Sequence, residues 1–192
     1  MSGSLQVGEE YLADLVEAIQ RCTYFLDGSL GRLAWPLAPE FLESRKMDVD
    51  VFETVSAINE RFAKLQDTLG AAMRCAAVLS GEQVVTFLRV LTFYEKIGVL
   101  ESVRLWQECR TARNLAAHDY DINYSAIADH FNTLHSMTPF LYGTAWRFAE
   151  YCRQSLGVFP KSRDFESGFA QVARLFGEQR NRDAKTDGIV SK

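Results

Sequence analysis

One run of this chain combines the residue types that phosphodiester chemistry uses: Arg113, Asn114, Leu115, Ala116, Ala117, His118, Asp119 and Tyr120. As a pattern it is R-N-x-x-x-H-x-Y. Attack of a ribose 2′-hydroxyl on the neighbouring phosphate needs a proton acceptor and a proton donor near neutral pH. Histidine, with an ordinary pKa near 6.5, serves either role. The transition state gathers negative charge on phosphate oxygens, and a guanidinium meets it with fixed, forked donors. The candidate catalytic residues are therefore Arg113 and His118, with Asn114, Asp119, Tyr120 and Arg110 in support. Tyr120 can stack on a base or donate to a phosphate. The scheme calls for no metal and no cofactor.

Spacing limits how these groups meet. Arg113 and Tyr120 are seven apart and share a face of a continuous helix, two turns apart. Asn114 and His118, four apart, form the neighbouring stripe. Arg113 and His118 are five apart, about 140° around an ideal helix at ~100° per residue. They converge if Arg113 reaches around, if the helix ends near His118, or if a second copy faces the first across a two-fold axis. Against this stands a plainer reading, in which Arg110 and Arg113 pair with Glu108 or Asp119 on a solvated face. Chance occurrence of the four-residue pattern in such a chain is on the order of one in several thousand.

The elements that must position these residues read as helices. Leu12, Leu15, Ile19, Cys22 and Leu26 alternate three and four apart, one face of a first helix. Gly28 and the stretch to Met47, with Pro36 and Pro39, interrupt it as a loop insertion over 30–47. Val55, Ile58, Phe62, Leu65, Leu69, Ala72, Ala76 and Leu79 predict a long helix of roughly 28 residues, ~40 Å. Asp50 with Glu53 resembles its capping box, and Ser80-Gly81 its stop. A third segment carries Val84, Phe87, Leu88, Leu91 and Tyr94 and ends at Gly98. Ser102 can cap a fourth, with Leu105, Trp106, Cys109, Ala112 and Ala116 on its apolar side. A fifth runs from about Tyr124 to Gln154. At Pro139 it either kinks or restarts with Thr138 as cap. Strand signals are not found. The expected fold is an all-α, up-and-down antiparallel helical bundle over 1–157. A short amphipathic helical extension is expected over 158–179 (Phe165, Phe169, Val172, Phe176) and a disordered tail over 180–192.

Composition fits one domain. The chain has 192 residues, 47% of them hydrophobic and 24% charged, enough for one buried core. A formal net charge of −4 argues against a cationic surface for duplex nucleic acid, though not against a local basic groove. Cys22, Cys75, Cys109 and Cys152 form no CxxC pair, so packed free thiols are expected. The N-terminus has no basic segment followed by an apolar one, and no run approaches the ~20 apolar residues of a membrane span, so a cytoplasmic protein without a membrane partner is expected. Asp129, His130 and His135 lack a supporting third ligand spacing for a metal. Phe140, Tyr142, Trp146, Phe148 and Tyr151 read as packing. No phosphate-loop, dinucleotide-binding or metalloprotease motif is present.

Arg113, His118 and Tyr120, with Asn114 and Asp119 fitting around them, resemble the R-x4-H-x-Y signature of HEPN domains, especially the HepT toxins of HEPN/MNT toxin–antitoxin pairs. The resemblance implies a HEPN-like bundle and a homodimer with the signature arginine and histidine at its cleft. It implies a metal-independent endoribonuclease toxin of a type VII-like pair, with RNA as substrate. It also implies a cognate MNT-type nucleotidyltransferase antitoxin that adenylylates Tyr120. The insertion over 30–47 and the chain after Gly157 are longer than in compact members. Three readings follow: a ribonuclease, a non-catalytic helical partner or substrate of a minimal nucleotidyltransferase, and a structural helical dimer.

Overall fold

The long central helix begins one turn before its apolar stripe. In the computed structural model, which describes residues 2–115 and 123–187, the carboxylate of Asp48 accepts the Val51 amide at 3.3 Å and caps helix α3, Val49–Leu79. Asp48, rather than the expected Asp50, therefore starts it: Asp48 has the extended backbone of a cap, while Asp50 already lies in the first turn. The helix is 31 residues long and stops at Ser80, followed by Gly81 at φ +79°. Ile58, Phe62, Leu65, Leu69, Ala72, Met73 and Ala76 along it are fully buried.

Around α3 stand α1 (Ser2–Leu30), α2 (Pro39–Ser44), α4 (Phe87–Lys96), α5 (Val103–Leu115), α6 (Tyr124–Tyr151) and α7 (Glu166–Asp187), with one π-helical turn at Cys152–Leu156. No strand occurs among the described residues. Side-chain contacts give the helix directions. Gly8 faces Leu79 and Arg61 reaches Phe25, so α1 runs antiparallel to α3. Trp106 faces Gln66 and Gly70 while Arg113 reaches Ala63, so α5 is also antiparallel to α3. Asn59 meets His130 and Ser80 meets Tyr151, so α6 runs parallel to it. Helices α1, α3, α5 and α6 thus alternate in direction along the chain. Phe87 and Tyr94 of α4 both pack at the Gly70–Arg74 turn of α3, and the Tyr94 hydroxyl donates to the Met73 carbonyl at 3.0 Å.

Several segments differ from their sequence expectation for stated reasons. The 30–47 insertion belongs to the core: Leu37 and Leu42 are buried, and α2 forms within it behind Pro39 at its first position. Asn132 of α6 accepts the Leu37 amide at 2.7 Å and donates to its carbonyl at 3.0 Å. Trp35 stacks on His135 with ring centroids 4.3 Å apart, and its indole N–H takes the Leu30 carbonyl at the end of α1. Helix α1 itself continues through Gly28. Helix α6 runs through Pro139 without a restart, and Thr138 is no cap: its Oγ1 donates to the Leu134 carbonyl at 2.9 Å within the helix. Helix α4 starts at Phe87, capped by Thr86, so Val84 precedes it. Helix α7 reaches Asp187, past residue 180 where a tail was expected. The stretch 178–187 is polar but holds neither glycine nor proline, so nothing in it stops a helix.

Candidate functional site

Arg113 is placed by the helix that carries it and by the helix that receives it. Ser102 Oγ accepts the Leu105 amide at 3.3 Å at the start of α5. Trp106, Cys109 and Ala112 are buried on its inner side. Gln66 Nε2 donates to the Trp106 carbonyl at 2.8 Å and fixes the register of α5 on α3. Arg113, one residue past Ala112, then lies along the edge of that interface. One terminal nitrogen donates to the Ala63 carbonyl at 3.0 Å and pairs with Asp67 Oδ1 at 2.7 Å. The Arg113 side chain is 13% exposed and the Asp67 side chain 65%. The Arg113 Nε is buried and has no hydrogen-bond partner among the described residues.

This geometry immobilises the guanidinium. A hydrogen bond from a charged donor to a carbonyl contributes about 1.5–3 kcal/mol. The pair with a mostly exposed carboxylate adds about 1 kcal/mol or less, because water screens it. Asp67 also does what an anionic ligand would do at the same nitrogen. A phosphate arriving from solvent meets a cation that is already oriented and a carboxylate that can swing away into water.

The other signature residues divide into two sets. Asn114 and Arg110 are exposed on α5. His118, Asp119 and Tyr120 lie outside the described residues, three to five positions beyond Leu115 and before the Asn123 cap of α6. Glu108 pairs with Arg104 at 2.7 Å rather than with Arg110 or Arg113, Arg113 takes Asp67 instead, and the Asp119 pairing lies outside the described residues. The partners that sequence reasoning missed are Ala63 and Asp67. They lie some fifty positions from Arg113, and no local spacing announces a contact made through a carbonyl and a surface carboxylate.

His130 and His135 are each engaged within the bundle. His130 Nε2 lies 3.3 Å from Asn59 Oδ1, and its ring meets Phe131 edge-on, while His135 stacks on Trp35. Burial lowers the pKa of both. No group of three histidine, cysteine or acidic side chains able to hold a metal ion occurs among the described residues. The cysteines are free thiols; burial raises all four and pushes Cys109 and Cys152 up to about 12. Among the described residues no helix is long and apolar enough to cross a membrane.

Comparison with known proteins returns no match to any family model, curated protein or solved structure.

Proposed function

We propose that the chain is a metal-independent endoribonuclease of the HEPN type, the toxin of a pair whose antitoxin is an MNT-type nucleotidyltransferase. The observation that carries the reading is the R-x4-H-x-Y run, whose arginine is held rigidly at the α3–α5 seam by Ala63 and Asp67. In this reading His118 takes the proton of a ribose 2′-hydroxyl. The 2′-oxygen bonds to the adjacent phosphorus, and the bond to the 5′-oxygen breaks. That oxygen leaves with a proton returned by a histidine, in a two-fold dimer His118 of either copy. The products are a 2′,3′-cyclic phosphate and a 5′-hydroxyl. Arg113 leaves Asp67 for the phosphate oxygens as their charge grows. Adenylylation of Tyr120 would set a phosphate and a nucleoside two residues from His118 and compete for Arg113.

The chemistry of the substrate gives the test. An all-ribose single strand and the same sequence fully 2′-O-methylated are incubated with the purified chain in a chelator. Cleavage of the first alone, leaving cyclic phosphate ends, is the expected result. Cleavage of both strands, or of neither by a chain whose intact mass shows an unmodified Tyr120, overturns the reading. The latter result would leave the chain as a partner of the nucleotidyltransferase, a role that the neutralised state of Arg113 also fits.

A further inference from the structure

Three aromatic rings meet at the surface where the connector after the π-helical turn crosses α1. Tyr24 and Phe25 are 46% and 40% exposed, and Phe165 of the connector lies 5.9 Å from each ring. Tyr24 and Phe25 meet edge-on at 5.4 Å. Two guanidiniums cover the group. Arg21 is 5.9 Å from the Phe25 ring and 6.0 Å from Phe165, and Arg61 is 5.7 Å from Phe25.

The group is built rigidly from below. Lys161 pairs with Asp14 at 2.7 Å and the Ser162 amide donates to Glu17 at 2.9 Å, which fasten the connector to α1. Gly168 lets the Tyr24 ring lie against α7, since a Cβ there would come within 2.6 Å of the ring. Arg61 donates to the Phe25 carbonyl at 3.2 Å and to the Ser29 hydroxyl. Arg21 and Lys64 are exposed, and neither has an ion pair among the described residues.

The position of Arg61 on α3 links these rings to Arg113. Arg61, Lys64 and Asp67 are three residues apart. At ~100° per residue they form a slanted stripe across the outer face of α3, ~9 Å long, from the α1 side to the α5 side. One end of the stripe is the ring group; the other is the Arg113–Asp67 pair. Glu60 and Asp67 flank Lys64, and Asp67 is paired with Arg113 while no strand is bound. On the other side of Glu60, towards the start of α3, the surface depression of about 580 Å³ is lined by Asp48, Glu53 and Glu60 with a single cation, Lys46, and suits a phosphate chain poorly.

We propose that this stripe and its rings are the binding track for nucleotides flanking the cleaved bond, with Lys64 and Arg61 on phosphates, Arg21 on the last one, and Tyr24, Phe25 and Phe165 offering faces or edges to unpaired bases. The exposed Tyr24 and Phe25 rings, backed by half-buried Phe165 and beside Arg21 and Lys64, are the combination that single-stranded nucleic acid recognition uses. The track rests on the ribonuclease reading for its direction, and its test is binding, which does not require cleavage.

Fluorescence anisotropy with a labelled ten-nucleotide oligouridine, in a chelator at low salt and on ice, measures it. The double variant Arg21→Glu/Lys64→Glu changes two exposed residues and should bind at least roughly ten-fold more weakly. Its logarithmic salt dependence should be shallower by about 0.7 per lost phosphate contact. Phe25→Leu should weaken oligouridine but leave an abasic sugar–phosphate ten-mer unchanged, which a merely structural role would not do. Parent-like binding by the double variant overturns the track, and its loss of binding with intact parental binding supports it. Failure of the parent to bind at all overturns it too and leaves the rings to a protein partner. Parental binding without cleavage keeps the track and removes the ribonuclease reading; cleavage with parent-like binding by the double variant does the reverse.

Discussion

Arg113 and Arg21 carry the same charge in opposite circumstances. Arg113 is folded into the seam between α3 and α5, held by a carbonyl and a carboxylate at 3.0 and 2.7 Å. Arg21 stands in solvent over the Phe25 and Phe165 rings, and no carboxylate pairs with it among the described residues. In the proposed ribonuclease the difference separates two jobs that a phosphate-binding surface must perform. A half-buried guanidinium held by the Ala63 carbonyl needs only to exchange Asp67 for a phosphate to meet charge at one place in a transition state. An exposed one gathers a strand loosely and costs the fold nothing when removed. Stability and RNA handling should therefore change together at position 113 and separately at position 21.

The largest effect expected is on Arg113→Ala. Cleavage should fall by about 10²–10³-fold, the usual loss when one stabilising donor is removed. The unfolding free energy from chemical denaturation should fall as well, by roughly 1.5–3 kcal/mol, since the charged hydrogen bond to Ala63 goes with the side chain. A variant with parental stability would show that the seam contact contributes nothing. Next comes Arg21→Glu, which should weaken oligouridine binding several-fold while leaving stability within about 0.5 kcal/mol, as for an ordinary surface change. A large loss of stability there would make Arg21 a structural residue and erase the contrast. Smaller again is Asp67→Asn. Releasing Arg113 from its exposed partner should destabilise by about 1 kcal/mol or less and tighten RNA binding a few-fold. Weaker binding would mean that Asp67 positions the strand rather than competing with it.

The smallest effect concerns pH. His130 and His135 have pKa values lowered by burial from 6.5, so the folded chain binds fewer protons than the unfolded one. Stability should therefore fall as pH drops through 6.5 and level off below the folded values. Asp27, raised by burial from 3.8, acts in the opposite direction at lower pH. The comparison that isolates the His135 share is His135→Phe, which keeps a ring on Trp35. Its melting temperature should decline less than the parent's between pH 7.5 and 5.5, and an equal decline would contradict the assignment.

Reading the sequence reached the helices because their signals are local. The unbroken alternation from Val55 to Leu79, the Gly98 stop and the Ser102 cap all describe contacts made within a turn or two. Pro139 and the 30–47 segment were legible only in part, because tertiary packing decides both. Asn132 and His135 bind a loop a hundred residues earlier, and Thr138 serves a carbonyl beside the proline. In the candidate site, residue types on α5 were readable and their partners were not. Asp67 is one acid among several on the outer face of α3, and Tyr24, Phe25 and Phe165 come together only once the connector is fastened to α1.

The most direct measurement compares initial rates of RNA cleavage, in a chelator, by the parent, Arg113→Ala and His118→Ala, each checked for helical content and for an unmodified Tyr120. The account expects cleavage by the parent and a loss of at least about a hundred-fold in both variants. A His118→Ala chain that cuts RNA as fast as the parent would contradict it.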